Sequence, residues 1–302
     1  MYMTTDPELT ADKSCSDRVA VVFISHILCE SVLDRFRKLV RESRPYDDVY
    51  LLFDATNATT EDCQRAQEVA SEHLRTFVRP EVIDNDYPWP WADSTRRDLV
   101  PGNLDLLYLY FAQREPGYSR YWFVEYDVVY TGTWADLFMT FENSTAGLVG
   151  TTLRSYDNNP NWPWWSSLDP ASDLAQAKWR RGFFPIIRLN RHLLKLVDEA
   201  YRAGWSGHSE AVLPTLASSY DLELEDIGGT GSYVNDGNEN RFYRNTPGEN
   251  GLSPGTFVYR PALPRPGFRS GTLWHPVKPE QTYVRFLRDH LIWWAKKHLR
   301  EQ

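Results

Sequence analysis

Two carboxylates interrupt what otherwise reads as a buried strand. In "YWFVEYDVVYTGTW", residues 121–134, an apolar run leads into Glu125-Tyr126-Asp127, and apolar character resumes with Val128, Val129 and Tyr130. An ionised carboxylate buried without a partner costs several kcal/mol or takes up a proton. A hard divalent cation such as Mg2+ or Mn2+ is one partner that answers this chemistry, because it takes carboxylate oxygens and bridges them to substrate phosphates. Residues two apart on a strand face the same way, which would aim Glu125 and Asp127 at one ion. If the chain turns at Tyr126 they diverge, and one could hold ribose while the other holds metal. In isolation an acid-x-acid strand end is also an ordinary solvated feature, so its surroundings decide.

The elements that would position these acids alternate in type. "RVAVVFISH", from Arg18, is a β-branched run of buried-strand type. "ESVLDRFRKLV" then places Val32, Leu33, Phe36 and Leu39 at helical spacing, and "VYLLFDAT" is a second buried strand. Strand, helix and strand in so short a span make a βαβ unit, hence a parallel sheet with a right-handed crossover. Asp54 ends the second strand, on the edge where open α/β sheets bind ligands. Asn103 is positioned to cap a helix over 103–113 that feeds the acid-bearing strand.

Further along, Thr133 or Asp136 starts a short helix and "AGLVGTTL" reads as a strand. "FFPIIRLN" is strand-like, Asn190 caps "RHLLKLVDEAYRAG", and "GHSEAVLPTLASSY" is a helix entered through Gly207. Residues 228–255, rich in Gly, Asn and Asp, read as a flexible loop, and Gly228 to Gly237 could order over a ligand as a lid. "TFVYRPAL" and "GTLWHPVK" are short strand or turn pieces. An amphipathic helix over about 281–299 closes the chain, with Tyr283, Leu287, Leu291 and Trp294 on one side. Residues 1–17 are polar and aperiodic and are expected to form a mobile tail. No repeat or linker divides the rest, so 18–302 reads as one α/β domain.

Composition excludes several classes. With 42% hydrophobic and 25% charged residues, the 302-residue chain is of soluble globular type. A net charge of −8 offers no basic field to displace counterions, so nucleic acid is not an expected partner. Cys15, Cys29 and Cys63 are odd in number and lack CxxC spacing, which argues against a disulfide framework or structural zinc. No secretory pattern or long apolar run is present, so a cytoplasmic location is expected. Peripheral contact with the inner membrane face is a second option. Arg285, Arg288, Lys296, Lys297 and Arg300 accompany Trp293 and Trp294 on the last helix, an interfacial mixture.

Helix 103–113, the apolar strand and its Glu125-Tyr126-Asp127 end together resemble the GT-A glycosyltransferases, nucleotide-sugar-dependent enzymes on a Rossmann-like α/β sheet. The resemblance spans about 18–280 and is degenerate in its motifs. It implies a mostly parallel central sheet flanked by helices, with long Trp/Pro loops. It also implies that Glu125-Tyr126-Asp127 stands for the D-x-D motif that binds metal and sugar nucleotide, with Asp127 the more secure ligand. "GHSEAVLPTL" resembles the segment that carries the catalytic base of inverting members, which implies Glu210 as base, although one carboxylate stands where the pattern often has two. "LWHPVK" resembles the late metal-ligating histidine, which implies His275 as a further ligand and Mn2+ over Mg2+, with Lys278 near the diphosphate.

Other roles follow from the same resemblance. Asp54 would contact the base or ribose, and Arg96 and Arg97 could approach phosphate. Trp89, Trp91, Trp162, Trp164 and Trp165, in the two Pro/Trp loops, and His208 would face a carbohydrate-type acceptor. An indole face stacks on a pyranose as readily as it plugs a core. The expected donor is a nucleotide-diphosphate sugar, UDP-linked first, and the expected reaction is inverting transfer to a hydroxyl. Two alternatives remain. A nucleotidyltransferase on a similar sheet would carry a Gly-rich basic loop where this chain has "SHILCES". A catalytically silent carbohydrate-binding protein would keep the fold alone.

Overall fold

Alternate residues of the first strand fall into two different cores. Ala20, Val22 and Ile24 pack into one cluster and Val19, Val21 and Phe23 into the other, so the sheet is covered on both faces. That is why its central strands are continuously apolar in sequence. The computed structural model describes residues 18–300 apart from 44, 45, 47, 85, 86, 94, 96, 100, 101, 172 and 246–254. The side chains of 290, 293, 294 and 296–300 are also outside the description. The expected N-terminal tail, Cys15, Arg96 and the side chains of Trp293, Trp294, Lys296, Lys297 and Arg300 therefore lie outside the described residues.

The chain opens with β1 (Val19–Ser25), α1 (Glu30–Glu42), β2 (Asp48–Asp54), α2 (Thr60–Ala70), β3 (Leu74–Phe77) and α3 (Arg79–Ile83). Then come α4 (Asp105–Arg114), β4 (Arg120–Glu125), β5 (Val129–Tyr130), α5 (Trp134–Thr140), β6 (Leu148–Ser155) and β7 (Arg180–Asn190). It closes with α6 (Arg191–Arg202), α7 (Ser209–Ser219), β8 (Leu224–Asp226), β9 (Leu273–Trp274) and α8 (Tyr283–Arg300). The main sheet has the order β3-β2-β1-β4-β7-β6-β8. Its pairings are parallel except those of β7, which runs antiparallel to β4 and β6. The protein is α/β with a mostly parallel seven-stranded sheet flanked by helices.

Helix α1 buries Val32, Leu33, Phe36 and Leu39 against one face. Each contributes about 1.5–3 kcal/mol by leaving water. Helices α4, α6 and α7 cover the other face through residues such as Leu107, Leu193 and Val212. Asn190 caps α6 as its sequence suggests, with Oδ1 accepting from Leu193 N at 2.7 Å. Asn103 does not cap α4. The helix starts at Asp105, and the Asn103 amide instead accepts from Ala92 N and donates to Asp98 O, tying the preceding loop together. The ends of 228–245 pack onto the domain, with Gly228, Gly229, Phe242 and Tyr243 buried and Gly229 O accepting from Asn240 N, while 231, 232 and 235–237 are exposed.

Candidate active site

Strand β4 ends at Glu125, and the chain turns immediately, with Val128 N donating to Glu125 O at 3.0 Å. The turn carries Asp127 inward, where it is buried. Strands β5 and β9 pair antiparallel just beyond it, and Val277 N donates to Asp127 O at 2.8 Å. This small ribbon brings His275 to the acid pair from far along the chain. Helix α1 braces the turn from behind: Arg35 Nη1 donates to Tyr126 O at 2.9 Å and Val277 O at 2.7 Å. Lys38 donates to Tyr130 O and Gly132 O.

Glu125, Asp127 and His275 each offer a ligand atom, and these atoms lie within 4.8 Å of one another. His275 Nδ1 lies 2.8 Å from Val258 O, which can only accept. In the neutral ring the proton is therefore on Nδ1, and the Nε2 lone pair faces Asp127 Oδ1 at 3.4 Å. That oxygen is buried and receives no hydrogen bond. Lys278 Nζ stands 3.5 Å from the other oxygen and donates to Tyr126 Oη at 3.1 Å. Burial works to raise the Asp127 pKa, but a protonated His275, whose own pKa Asp127 raises, and Lys278 outweigh it and the carboxyl stays ionised. Burial and the charge of Asp127 push Glu125 the other way, well up. An orphaned oxygen, an acid that resists ionisation and an imidazole whose Nε2 faces the pair and is freed by loss of one proton fit a divalent cation.

Asp54 lines a cavity of about 510 Å3 beyond the ends of β1 and β2, with His26, Asn57, Arg65 and Arg79. Its oxygens are already engaged, one by Thr56 N and Oγ1 and the other by Arg79 Nε at 2.8 Å. It stands in the cavity wall as a held group. His26, on the same wall, packs edge-on to Tyr126 with centroids 4.8 Å apart, which joins the cavity to the acid turn. Arg97 lies over the Trp91 ring at 5.5 Å.

On the far side of β4, Gly207 (φ +139°) lets the chain press on the turn at Pro163–Ser167: a Cβ there would meet Ser167 O at 2.9 Å. The close approach sets the start of α7. His208 Nδ1 caps it by accepting from Glu210 N at 3.3 Å. The His208 ring is buried between Trp164 and Trp162, at 4.8 and 5.7 Å between centroids. Burial, then the charge of Arg181, hold its pKa down to about 4, so it is neutral. His208 is thus a positioning group, not an exposed acceptor contact. The Glu210 carboxyl is pushed up to about 7 by burial, against the charge of Arg181 and the Phe184 N–H. Asp226 cannot substitute as a base, because Gly228 N, Leu153 N and Tyr243 Oη occupy it.

The tryptophans divide. Trp91, Trp162 and Trp165 are buried in the core and have no face to offer, whereas Trp89 and Trp164 are exposed. Sequence reasoning missed Arg154 and Arg181, both buried, with Arg181 in the field of Glu210.

No family model matches this sequence, and comparison with curated proteins found no match. Solved structures do share elements of the fold. A mannosyltransferase from Pyrobaculum calidifontis, in complex with GDP-Man and Mn2+, is 14% identical over 60% of this chain and 46% of its own, with a TM-score of 0.35. This chain therefore spans about half that protein's length. An active-site mutant of LgtC is 12% identical over 81% of this chain and 89% of its own, with a TM-score of 0.44. A cytidylyltransferase from Leptospira borgpetersenii is 11% identical over 73% of this chain and 77% of its own, with a TM-score of 0.37. Each of these TM-scores is below 0.5, so the likeness is one of element arrangement alone.

Proposed function

We propose that this protein is a metal-dependent glycosyltransferase that moves a sugar from a nucleotide-diphosphate donor to a hydroxyl, with inversion. The observation that carries this reading is the orphaned Asp127 Oδ1 facing His275 Nε2 beside Glu125. Those three residues would hold Mn2+, or Mg2+, and the bound ion would supply Lewis-acid neutralisation of charge on the leaving diphosphate. Lys278, next to Asp127, would add a second positive charge there. The nucleotide would occupy the cavity walled by Asp54 and His26. Glu210, with its pKa brought near neutrality, would take the proton from the acceptor hydroxyl. The acceptor oxygen then bonds to the anomeric carbon as the bond to the diphosphate breaks, its electron pair leaving with the diphosphate. Trp164 and Trp89 would offer faces to the acceptor sugar.

Incubation with a panel of UDP-, GDP- and TDP-sugars and Mn2+ tests this reading. Release of nucleoside diphosphate with an anomerically inverted product supports it. Formation of nucleoside triphosphate and sugar 1-phosphate when pyrophosphate is added would favour a nucleotidyltransferase, and no turnover of any donor a silent binding protein.

Among the described residues no helix is long and apolar enough to cross a membrane. Val284, Leu287 and Leu291 of α8 are exposed, and Arg285 and Arg288 lie among them. We propose peripheral attachment through this helix. Flotation with anionic liposomes before and after deleting 281–302 decides it, equal co-migration being the contrary result.

A further inference from the structure

Arg181 of β7 and Arg154 of β6 stand directly opposite each other. Such antiparallel neighbours project from the same face. Both are buried, at 2% and 7% exposure. The Arg181 guanidinium makes no hydrogen bond or ion pair with any described residue, and its Nε is fully enclosed. The Trp162 ring lies 5.0 Å from it, and it stands in the longer-range fields of Glu210, Arg154 and Tyr243. Arg154 Nη1 donates to Leu153 O at 2.7 Å, while its Nη2 is enclosed without a partner.

A buried arginine that serves only the fold looks different here. Arg188, on the same strand as Arg181, also has an enclosed Nε without a partner, but its Nη groups are caged by the carbonyls of Phe141, Ser144 and Ala146. Removing a guanidinium from water without replacing its acceptors costs several kcal/mol. The fold bears that cost twice at one place, and strains its backbone there. β6 bulges between Thr151 and Arg154, with the β-branched Thr152 at φ 52°. Gly231 (φ +124°) lies so close over Arg154 that a Cβ would meet Nη1 at 2.5 Å. Strain of this kind persists where surrounding structure over-determines it, commonly at ligand sites.

We propose that Arg181 and Arg154 receive an anionic group, carboxylate or phosphate, carried by the sugar substrate beside Glu210. Guanidinium forks match the planar carboxylate and the phosphate oxygens, and either anion would satisfy the Arg181 Nη donors, which are not enclosed and have no partner among the described residues. The inference rests on the transferase reading and narrows its substrate class: either the donor's glycosyl unit is a uronate, or the acceptor bears the charge.

Titration calorimetry on the full chain separates these sources. The donor arm compares UDP-glucuronate with UDP-glucose, both with Mn2+. The acceptor arm, with the protein saturated by UDP and Mn2+, compares glucose 6-phosphate and glucuronate with glucose. In one arm the anionic probe should bind roughly tenfold or more tightly than its neutral counterpart. Arg181→Met should abolish that preference and Arg154→Met reduce it, with UDP affinity unchanged, while Arg181→Lys should retain part of it. Arg181→Met should also leave the thermal midpoint unchanged or higher, since it removes an unpaired buried charge. Intact UDP binding with no anionic preference in either arm overturns the anion site alone, as does a preference that survives both Met substitutions. Absence of binding by UDP, GDP and TDP alike with Mn2+ overturns the transferase reading and this inference with it.

Discussion

His275 Nε2 stands 3.4 Å from Asp127 Oδ1, and no hydrogen bond reaches that oxygen. Two ligands held about 2.1 Å from one ion and at right angles to each other stand about 3 Å apart. The gap is therefore close to the separation that ion binding requires and wide for a good direct hydrogen bond. The β5–β9 ribbon sets it, and the Nδ1 bond to Val258 O fixes the ring.

His275→Ala should weaken Mn2+ binding by about tenfold or more, the scale seen when ligand-shell groups are lost. Titration of Mn2+ followed by electron paramagnetic resonance measures it. An unchanged affinity would remove His275 from the site and leave it a buried structural imidazole.

Glu210→Gln should lower turnover by about 10²-fold or more while donor and Mn2+ affinities stay near normal. The Glu210 pKa is near 7, and only the ionised form accepts a proton. Wild-type turnover should therefore rise with pH through that region and level off above it, and the Gln variant should lack this limb. A limb that persists in the variant would assign the base elsewhere.

Much of the scaffold was legible from the chain itself. The β1-α1-β2 unit, the acid-ended β4, the Asn190 cap and the Gly207 entry to α7 are local patterns that burial reinforces. β3 was not legible, because three of its four residues are only partly buried or exposed and no apolar run forms. α2 buries only Ala66 and Ala70, although its Thr59–Asp62 capping box was a usable start signal. Asn103 has the right type and place for a cap, but the loop over 92–98 uses its amide. The tryptophan loops could not be divided in advance, since an indole plug and an indole platform are the same residue. Nor does "RRGFF" announce that Arg181 turns inward; it reads as the solvated start of a strand.

Replacing tryptophans one at a time tests that division. Trp165→Ala, which empties a core site and removes the Nε1 donor to Asn159 O, should cost about 3–5 kcal/mol in denaturant unfolding. Trp164→Ala should change stability by less than about 0.5 kcal/mol. Its effect should fall on the acceptor KM. A large stability loss for Trp164→Ala would make it a plug as well.

Asp105, fully buried against Tyr201 Oη, has its pKa pushed up to about 7 by burial, from 3.8. The folded state thus holds a proton that the unfolded chain releases near pH 4. Its contribution to stability is complete below about pH 4 and is lost as pH rises to about 7, by at most about 4 kcal/mol. Asp105→Asn should flatten the fall in stability between pH 4 and 7. An equally steep fall in the variant would assign it to other groups, Asp226 first, whose carboxyl is also raised to about 7 by burial.

The most direct measurement is the affinity for UDP with Mn2+ and with EDTA, in the wild type and in Asp127→Asn. The substitution keeps size and removes the charge that an ion needs. Wild-type protein should bind UDP at least about tenfold more tightly with Mn2+, a coupling of about 1.4 kcal/mol, and Asp127→Asn should erase the difference. Equal UDP affinity with and without Mn2+ in the wild type, or a metal effect that survives in the variant, would contradict the assignment of Asp127 to a metal-bridged nucleotide site.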